Sequence, residues 1–274
     1  MQNDNSDSQT PPAVEEESVD EEFFVEIIRR SRLLVTLQEQ PASASDLAEL
    51  VELSRSTIHR AMSSLTDLKL VEKTEGKFRL TGYGNIVATE VDQFRKRAMA
   101  AQVLEPFLSH VDVPDLPIEH FRDATVIQPE AHQPHLSIRR IMELIKETDR
   151  LRVFSTVISP IYVEIAHREM LNGMEAEAIF DQQTLDIVLK EYEEETVEAL
   201  ESGNFDVFIH NSLPFELFLF DDMIGMAAHD EYGIARVLVV SSSDEAIAWA
   251  EELYSSYREE STPAMPISKD IEEP

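Results

Sequence analysis

Residues 54–81 read SRSTIHRAMSSLTDLKLVEKTEGKFRLT, and this stretch decides the N-terminal fold. Ile58, Ala61, Met62, Leu65 and Leu68 recur at three- and four-residue steps, which predicts a helix from about Ser54 to Leu68 with one apolar face. The other side carries Arg55, Ser56, His59, Arg60 and Ser63, with Thr57 beside them near the helix start. All are donors or acceptors able to reach phosphates and base edges, and arginine can fork onto guanine O6 and N7. From Leu70 to Thr81 two short alternating runs flank Glu75-Gly76, a hairpin signal. Lys73, Lys77 and Arg79 on that hairpin suit backbone phosphate beside a groove.

Upstream, Phe23, Phe24, Ile27, Ile28, Leu34 and Leu37 predict a helix from Glu21 to Gln38, ended by Pro41. Ser43 with Asp46 three residues later forms a capping-box pattern opening a short helix from Ala44 to about Glu52. Helix, short helix, turn, helix and basic hairpin is the order of a winged helix-turn-helix, whose recognition helix enters the major groove with its N-terminal part. A single amphipathic helix with two arginines is ordinarily a solvated face; the joint pattern carries the reading. Glu52 lies where simple helix-turn-helix proteins have a turn glycine.

Charge sharpens the contrast. The chain has 274 residues, with 54 acidic against 23 basic side chains and a net charge of −31. From Leu53 to Ala100 nine basic residues face five acidic ones, so the window is +4 and the remainder is −35. One basic stretch inside a strongly acidic protein marks an electrostatic footprint for nucleic acid. Acids spread over foldable segments suit a halophilic, salt-adapted protein, since repulsion is screened within about 3 Å at 1 M salt. The absence of cysteine excludes disulfides, thiol nucleophiles and cysteine-held clusters. No apolar run reaches the roughly 20 residues that span a bilayer, and the polar start is unlike a signal peptide, so a cytoplasmic protein with no membrane partner is expected.

After Gly82 and Gly84 a long helix is expected from Asn85 to His110, its stripe Val87, Val91, Phe94, Ala98, Ala101 and Leu108 serving either as an internal packing face or as a dimer seam. Pro106, Pro114, Pro117, Pro129 and Pro134 read as an irregular junction. A second domain then alternates: helix 137–148, strand 151–155, helix 160–171, strand 174–180, helix 183–201 and strand 206–210. Apolar runs at 215–220, 223–228 and 234–240 and a last helix at 244–257 complete it, with Asp221-Asp222 as a hairpin turn and Trp249 in the core. The class is α+β: a winged helix-turn-helix over 21–84, a linker or dimerisation helix over 85–111 and a mixed α/β sensor domain over 112–260. Acidic segments 1–20 and 261–274 read as disordered.

In the second domain Ser155, Thr156, Ser159 and Tyr162 surround the end of a strand and the opening of a helix at Pro160. Asp181 ends the next strand, and His210 with Asn211 ends the third. Strand ends of open α/β sheets are where ligands bind, and these seven are the candidate effector residues, each equally able to serve only as a cap or turn. His132 and His135 lack a partnered acidic helix, so no metal is expected, nor any cofactor.

The run SDLAELVELSRSTIHRA (45–61) resembles archaeal winged-helix regulators, in which LSRSTIHRA is the recognition helix and LKLVEKTEGKFRLTGYG (68–84) the wing and its exit. Residues 128–258, in particular YVEIAHREMLNGMEAEAIFDQQTLDIVLKEY, ALESGNFDVFIHNSLPFELFLFDDMIGM and DEAIAWAEELYSSYRE, resemble the second domain of the methanogenesis-regulatory, filament-type regulators. The resemblance implies a regulator whose second domain receives a signal and helps to dimerise, and no enzyme. The expectation is a homodimeric, sequence-specific regulator of double-stranded DNA, tuned by a small-molecule effector. Two alternatives stay open: a winged helix that binds protein, and a phosphodiesterase- or hydrolase-like second domain. Against the latter stand the lack of a G-x-S-x-G elbow, of a glycine-rich phosphate loop and of a His-x-Lys pair.

Overall fold

The computed structural model describes residues 21–113 and 115–264. The segment 1–20 and residues 265–274 of the acidic tail, both read as disordered, lie outside the described residues, as does Pro114. The chain divides between Arg95 and Lys96 into two compact units.

In the first unit the helix expected over 21–38 is two helices, α1 (Glu21–Arg29) and α2 (Ser31–Glu39), parted at Arg30 with φ −106° and ψ 12°. A straight helix turns about 100° per residue and would place Ile27 and Leu33 roughly 120° apart. The break lets both reach one core with Leu34 and Leu37. The short helix α3 (Ala44–Leu50) is opened by a reciprocal box: the Asp46 N–H donates to Ser43 Oγ at 3.2 Å, and the Ser43 N–H to Asp46 Oδ2 at 3.0 Å. Helix α4 (Arg55–Asp67) is capped by Ser54, whose Oγ accepts from the Thr57 N–H at 3.2 Å. Between them Glu52 takes φ +56°, so the turn does require the left-handed region, and a glutamate occupies it.

Strands β1 (Val71–Thr74) and β2 (Lys77–Leu80) form the wing. Glu75 and Gly76 both have positive φ, 52° and 82°, the two-residue turn that matches the twist of a hairpin. Phe78 also exchanges both backbone hydrogen bonds with Ala42, tying the wing to the segment before α3, a pairing the sequence did not suggest. Leu34, Leu47, Ile58, Met62, Leu65 and Leu70 are fully buried between these elements.

Helix α5 (Gly82–Leu108) starts three residues earlier than expected. Thr81 opens it, its Oγ1 accepting from the Gly84 N–H at 2.9 Å. Gly84 is no breaker: a Cβ there would lie 1.8 Å from the Leu70 carbonyl oxygen, so glycine permits a close approach. Pro106 lies inside the last turn and marks no junction. The six-residue stripe is not buried as one face. Ala88 and Val91 pack in the first unit's core, whereas Leu104 and Phe107 pack in the second unit's, and Phe94 and Ala98 are exposed. Each core draws on its own part of the helix, which a stripe read along the sequence does not separate.

After α5 the second unit continues with a 3-10 turn (Ile118–Phe121). There follow β3 (Thr125–Ile127), α6 (Leu136–Glu147), β4 (Arg150–Ser155), α7 (Pro160–Leu171), β5 (Glu175–Phe180), α8 (Gln182–Glu191), α9 (Glu193–Ser202) and β6 (Phe205–Ile209). Then come β7 (Glu216–Leu219), β8 (Ile224–His229), β9 (Ala235–Ser241), α10 (Asp244–Glu260) and β10 (Thr262–Pro263). The strands form one mixed sheet in the order β10-β6-β5-β4-β7-β8-β9-β3, with β4, β5 and β6 parallel and the other pairs antiparallel. Both faces are covered, so β7 is buried along its whole length and β8 from Ile224 to Ala228. Leu217 and Leu219 join the cluster under α10, and Phe218 and Phe220 the one under α6 and α7.

Two expectations are corrected. The helix over 183–201 breaks at Tyr192 (φ −132°, ψ 37°), because Leu185 and Val188 pack beside Phe180 and Val207 while Ala199 joins the cluster of Ile165 and Met170. The start of the acidic tail is ordered: Thr262 and Pro263 pair with Ile209 and Phe208, and the Ala264 N–H donates to the Val207 carbonyl at 2.9 Å. A proline is tolerated there because the strand is an edge. Strand β3, at the other edge, was not foreseen; three residues carry too little periodicity to read. Asp221 sits in the turn between β7 and β8 as expected, its carboxylate also accepting from the Asp149 N–H at 2.8 Å. Trp249 is half-buried and edge-on to Phe121, with ring centroids 5.4 Å apart.

Candidate nucleic-acid interface and effector cavity

Helix α4 is anchored by Ile58, Ala61, Met62 and Leu65, which leaves Arg55, Ser56, His59, Arg60 and Ser63 on its exposed side. Arg55 also reaches back to α3, its guanidinium donating to Ser45 Oγ at 3.2 Å. Thr57 is set apart from these. Half-buried, it gives its N–H to Ser54 Oγ and holds its hydroxyl 2.8 Å from the same oxygen, so it closes the helix start. On the wing Lys73 and Lys77 are exposed, Lys73 with its ammonium 5.3 Å from the centre of the Phe78 ring. Arg79 lies opposite Glu72 in the ladder and pairs with it at 2.8 Å. An exposed pair of this kind contributes little stability, but it offsets one positive charge of the wing. Eight of the nine residues assigned to DNA thus share exposed positions on α4 and the hairpin, and Thr57 supports them from behind.

The seven effector candidates do not form one site. Asp181 caps α8, accepting from the Thr184 N–H at 2.7 Å. His210 accepts from the Ser212 N–H at 3.1 Å through Nδ1 and packs edge-on against Tyr257, with exposed Asn211 beside it at the end of β6. Thr156 is exposed, and Ser159 precedes α7 without a capping bond. Ser155 and Tyr162 alone come together, and two residues that the sequence reading missed join them, Glu216 and His229.

Register explains this meeting. Phe154 pairs with Leu217, so one step further along the antiparallel ladder Ser155 faces Glu216, and Glu216 pairs with Ala227 two residues before His229. Ser155 Oγ lies 2.9 Å from Glu216 Oε1 and 2.8 Å from the Val157 carbonyl oxygen, and it accepts from the Val157 N–H at 3.0 Å. His229 Nε2 approaches Glu216 Oε2 to 3.3 Å without hydrogen-bond geometry, so that oxygen is unpartnered, as is the buried hydroxyl of Tyr162. Burial pushes the Glu216 carboxyl up to about 8, opposed by the Ser155 hydroxyl. Burial lowers His229, opposed by Asp230, and raises Tyr162, aided by Glu216.

Two hollows meet at Glu216. One is a cavity of about 100 Å³ with an almost wholly apolar wall beneath α7, and Ser155 and Tyr162 line it. The other is a polar cleft of about 290 Å³ whose walls include His110, Thr156, His229 and Asp230. Val157 and Glu216 border both. Among the described residues no group of three or more metal-ligating side chains is gathered, and no helix is long and apolar enough to cross a membrane.

The fold and the exposed α4 face define a winged helix-turn-helix unit, followed in the chain by a mixed α/β domain. More particularly, residues 18–102 match the HVO_A0261 N-terminal domain, and residues 134–260 match the middle domain of the methanogenesis regulatory protein FilR1. No curated protein sequence matches the chain. Likeness to solved structures is distant. TrmBL2, described as an archaeal chromatin protein with a novel mode of DNA binding, is 12% identical with a TM-score of 0.42, over 84% of this chain and 91% of that one. NucT from Helicobacter pylori is 11% identical with a TM-score of 0.42, over 51% and 98%. ZitR from Lactococcus lactis is 20% identical with a TM-score of 0.26, over 30% and 69%.

Proposed function

We propose that the protein is a sequence-specific, homodimeric transcriptional regulator whose affinity for double-stranded DNA is set by a small molecule in the second unit. The observation that carries this reading is the exposed set Arg55, Ser56, His59, Arg60 and Ser63 on a helix whose opposite side is buried, with basic wing residues following it. That set lies in the window from Leu53 to Ala100, which is +4 in a chain of charge −31. The family of the second domain, named for a regulatory protein, supports the same reading. In a dimer, two such helices enter successive major grooves about one helical turn apart. Apolar side chains exposed on the first unit, Phe24, Val25 and Ile28 on α1 and Ile86 and Phe94 on α5, are available to a second copy. An effector shifts DNA affinity only by binding one arrangement of the dimer better than the other. The second domain is not assigned catalysis: no His-x-Lys pair or nucleophile elbow stands in its sequence.

Genome-wide occupancy of the full chain beside an Arg55→Ala/Arg60→Ala variant tests the reading. Discrete peaks that vanish in the variant are expected, with each arginine contributing about 1–3 kcal/mol if it forks onto a guanine. Occupancy that survives both substitutions would refute DNA recognition through α4 and move the protein to the protein-binding class.

A further inference from the structure

The two faces of the second unit's sheet are packed differently. Beneath α10 the buried side chains form one continuous cluster, from Leu104 to Tyr254. On the opposite face they fall into two. One, with Ile165, Met170 and Phe218, lies under α6 and α7, and the other, with Phe180 and Val188, lies under α8. Val153 and Phe205 touch both. Val153 stands on β4, between β5 and β7, yet it is not fully buried. A side chain in the middle of a covered sheet keeps accessible surface only where the packing above it is incomplete.

The cavity of about 100 Å³ lies at this seam, and members of both clusters line it. The sequence accounts for the gap. The alternation of EAEAIF (175–180) turns Ala176 and Ala178 to one side of β5, beside Leu151 and Val153 in the parallel ladder. Ala166 of α7 and Ala199 of α9 line the cavity from the helix layer. Four methyl groups thus stand where a close-packed interior has larger side chains, and the ladder and helices that carry them do not collapse far enough to close it.

The wall is almost wholly apolar. Ser155 is engaged with Val157 and Glu216, the Thr196 hydroxyl donates to the Tyr192 carbonyl at 2.7 Å, and His167 pairs with Glu198 at 3.0 Å. The Tyr162 hydroxyl and Glu216 Oε2 are closed off from the hollow. An apolar cavity of roughly 150 Å³ stays dry and admits benzene, and this one is of that order.

We infer that the seam is a binding site for a small uncharged hydrocarbon, a single ring or a short chain in bulk, held by dispersion and by release from water alone. An occupant completes the interrupted core and joins α8 to α7 and α9 across it. A hydroxyl, carboxylate or ammonium on the ligand would leave water for a wall that offers it nothing. The inference deepens the proposed effector by naming its class, and it rests on that reading only for the consequence at DNA.

Methyl-region NMR of the full-length protein, titrated with benzene, phenol, benzoate and benzylammonium, tests it. Benzene is expected to shift the methyl signals of Val153, Ala166 and Ala178 and to leave those of Leu104 and Val237, on the other face, in place. Phenol should bind at least about tenfold more weakly, the cost of a hydroxyl without a partner, and the two ions should not bind. At about ten times its dissociation constant, benzene should raise the melting temperature by about 3 °C. Ala166→Leu and Ala178→Val each fill the hollow from one wall and should weaken benzene at least about tenfold. Where either fails to fold, the other and the shifts in the unsubstituted protein decide. No methyl shift with benzene, shifts confined to the other face, phenol or an ion bound as tightly as benzene, or unchanged benzene affinity in a folded, filled variant would each overturn the assignment. DNA binding measured on the same samples separates the two readings. Benzene binding in a protein that does not bind DNA supports the site and sinks the regulator, and DNA binding without benzene binding does the reverse.

Discussion

The carboxyl of Glu216 makes stability depend on pH in a direction that isolates it from the many other acids of the chain. In the folded protein its pKa is about 8, against an ordinary 4.5, and desolvation is the cause. Between these values the folded chain keeps the proton and the unfolded chain releases it, so stability falls as pH rises through the window. At about 1.4 kcal/mol per unit, the loss is on the order of 3 kcal/mol by pH 7 and 5 kcal/mol above pH 8. Glu216→Gln carries no titrating proton and keeps a side-chain oxygen to accept from the Ser155 hydroxyl. Urea unfolding of both proteins at pH 5, 6, 7 and 8, in constant salt, gives the difference curve. The difference in favour of glutamine should be small at pH 5 and grow by more than about 1 kcal/mol per pH unit toward pH 7. Subtraction removes the general repulsion among surface acids, which the two proteins share. Burial favours the neutral form of His229 in both proteins. A buried imidazolium–carboxylate pair predicts the opposite, with Glu216→Gln destabilised between pH 5 and 7, because the imidazolium would be left alone. That result, or two parallel curves, would refute a protonated Glu216 in the folded protein.

Other perturbations test the fold that carries both sites. Gly84→Ala should cost roughly 3 kcal/mol in chemical denaturation, because the new methyl meets the Leu70 carbonyl and the backbone must part; a neutral effect would deny the close approach between α5 and the entry to the wing. Glu52→Gly should stabilise by about 1 kcal/mol, seen as a higher urea midpoint, by relieving a glutamate held at φ +56°. Tyr254→Phe should cost about 1 kcal/mol through the lost bond from its hydroxyl to the Glu177 carbonyl, and Tyr254→Ala about 3–5 kcal/mol through the hole left between α10 and the sheet.

The first unit was almost wholly legible, since its signals are local. Ser43 and Asp46 cap α3, Ser54 caps α4, and Glu75-Gly76 turns the wing, all within four residues of their effect. Where reading failed, the deciding contact came from farther away. Gly84 looks like a helix breaker until Leu70 is placed against it, and the helix over 21–38 looks continuous until one core must accept Ile27 and Leu33 together. The stripe on α5 was read as one surface, whereas Val91 packs in the first unit's core and Leu108 against the second's, and Phe94 and Ala98 between them stay exposed.

The cavity shows how half of a site stays hidden. Ser155 and Tyr162 were found because a strand end followed by a helix is a local pattern, and the parallel half of the sheet supplies it. Glu216 and His229 come from the antiparallel half, some sixty residues on, and only the pairing of β4 with β7 sets Ser155 against Glu216. A signal was nevertheless present in residues 215–220, FELFLF. An alternating strand with one wet face would put its acid outward and polar residues at 218 and 220 as well. Here those positions are phenylalanine, so the face that holds Glu216 has to be as dry as the other, and a carboxyl on it must find a proton or a partner. A lone acid in a run that is apolar at every other step is therefore the residue to suspect first, because the strand can bury it only by making it do chemistry with its neighbours.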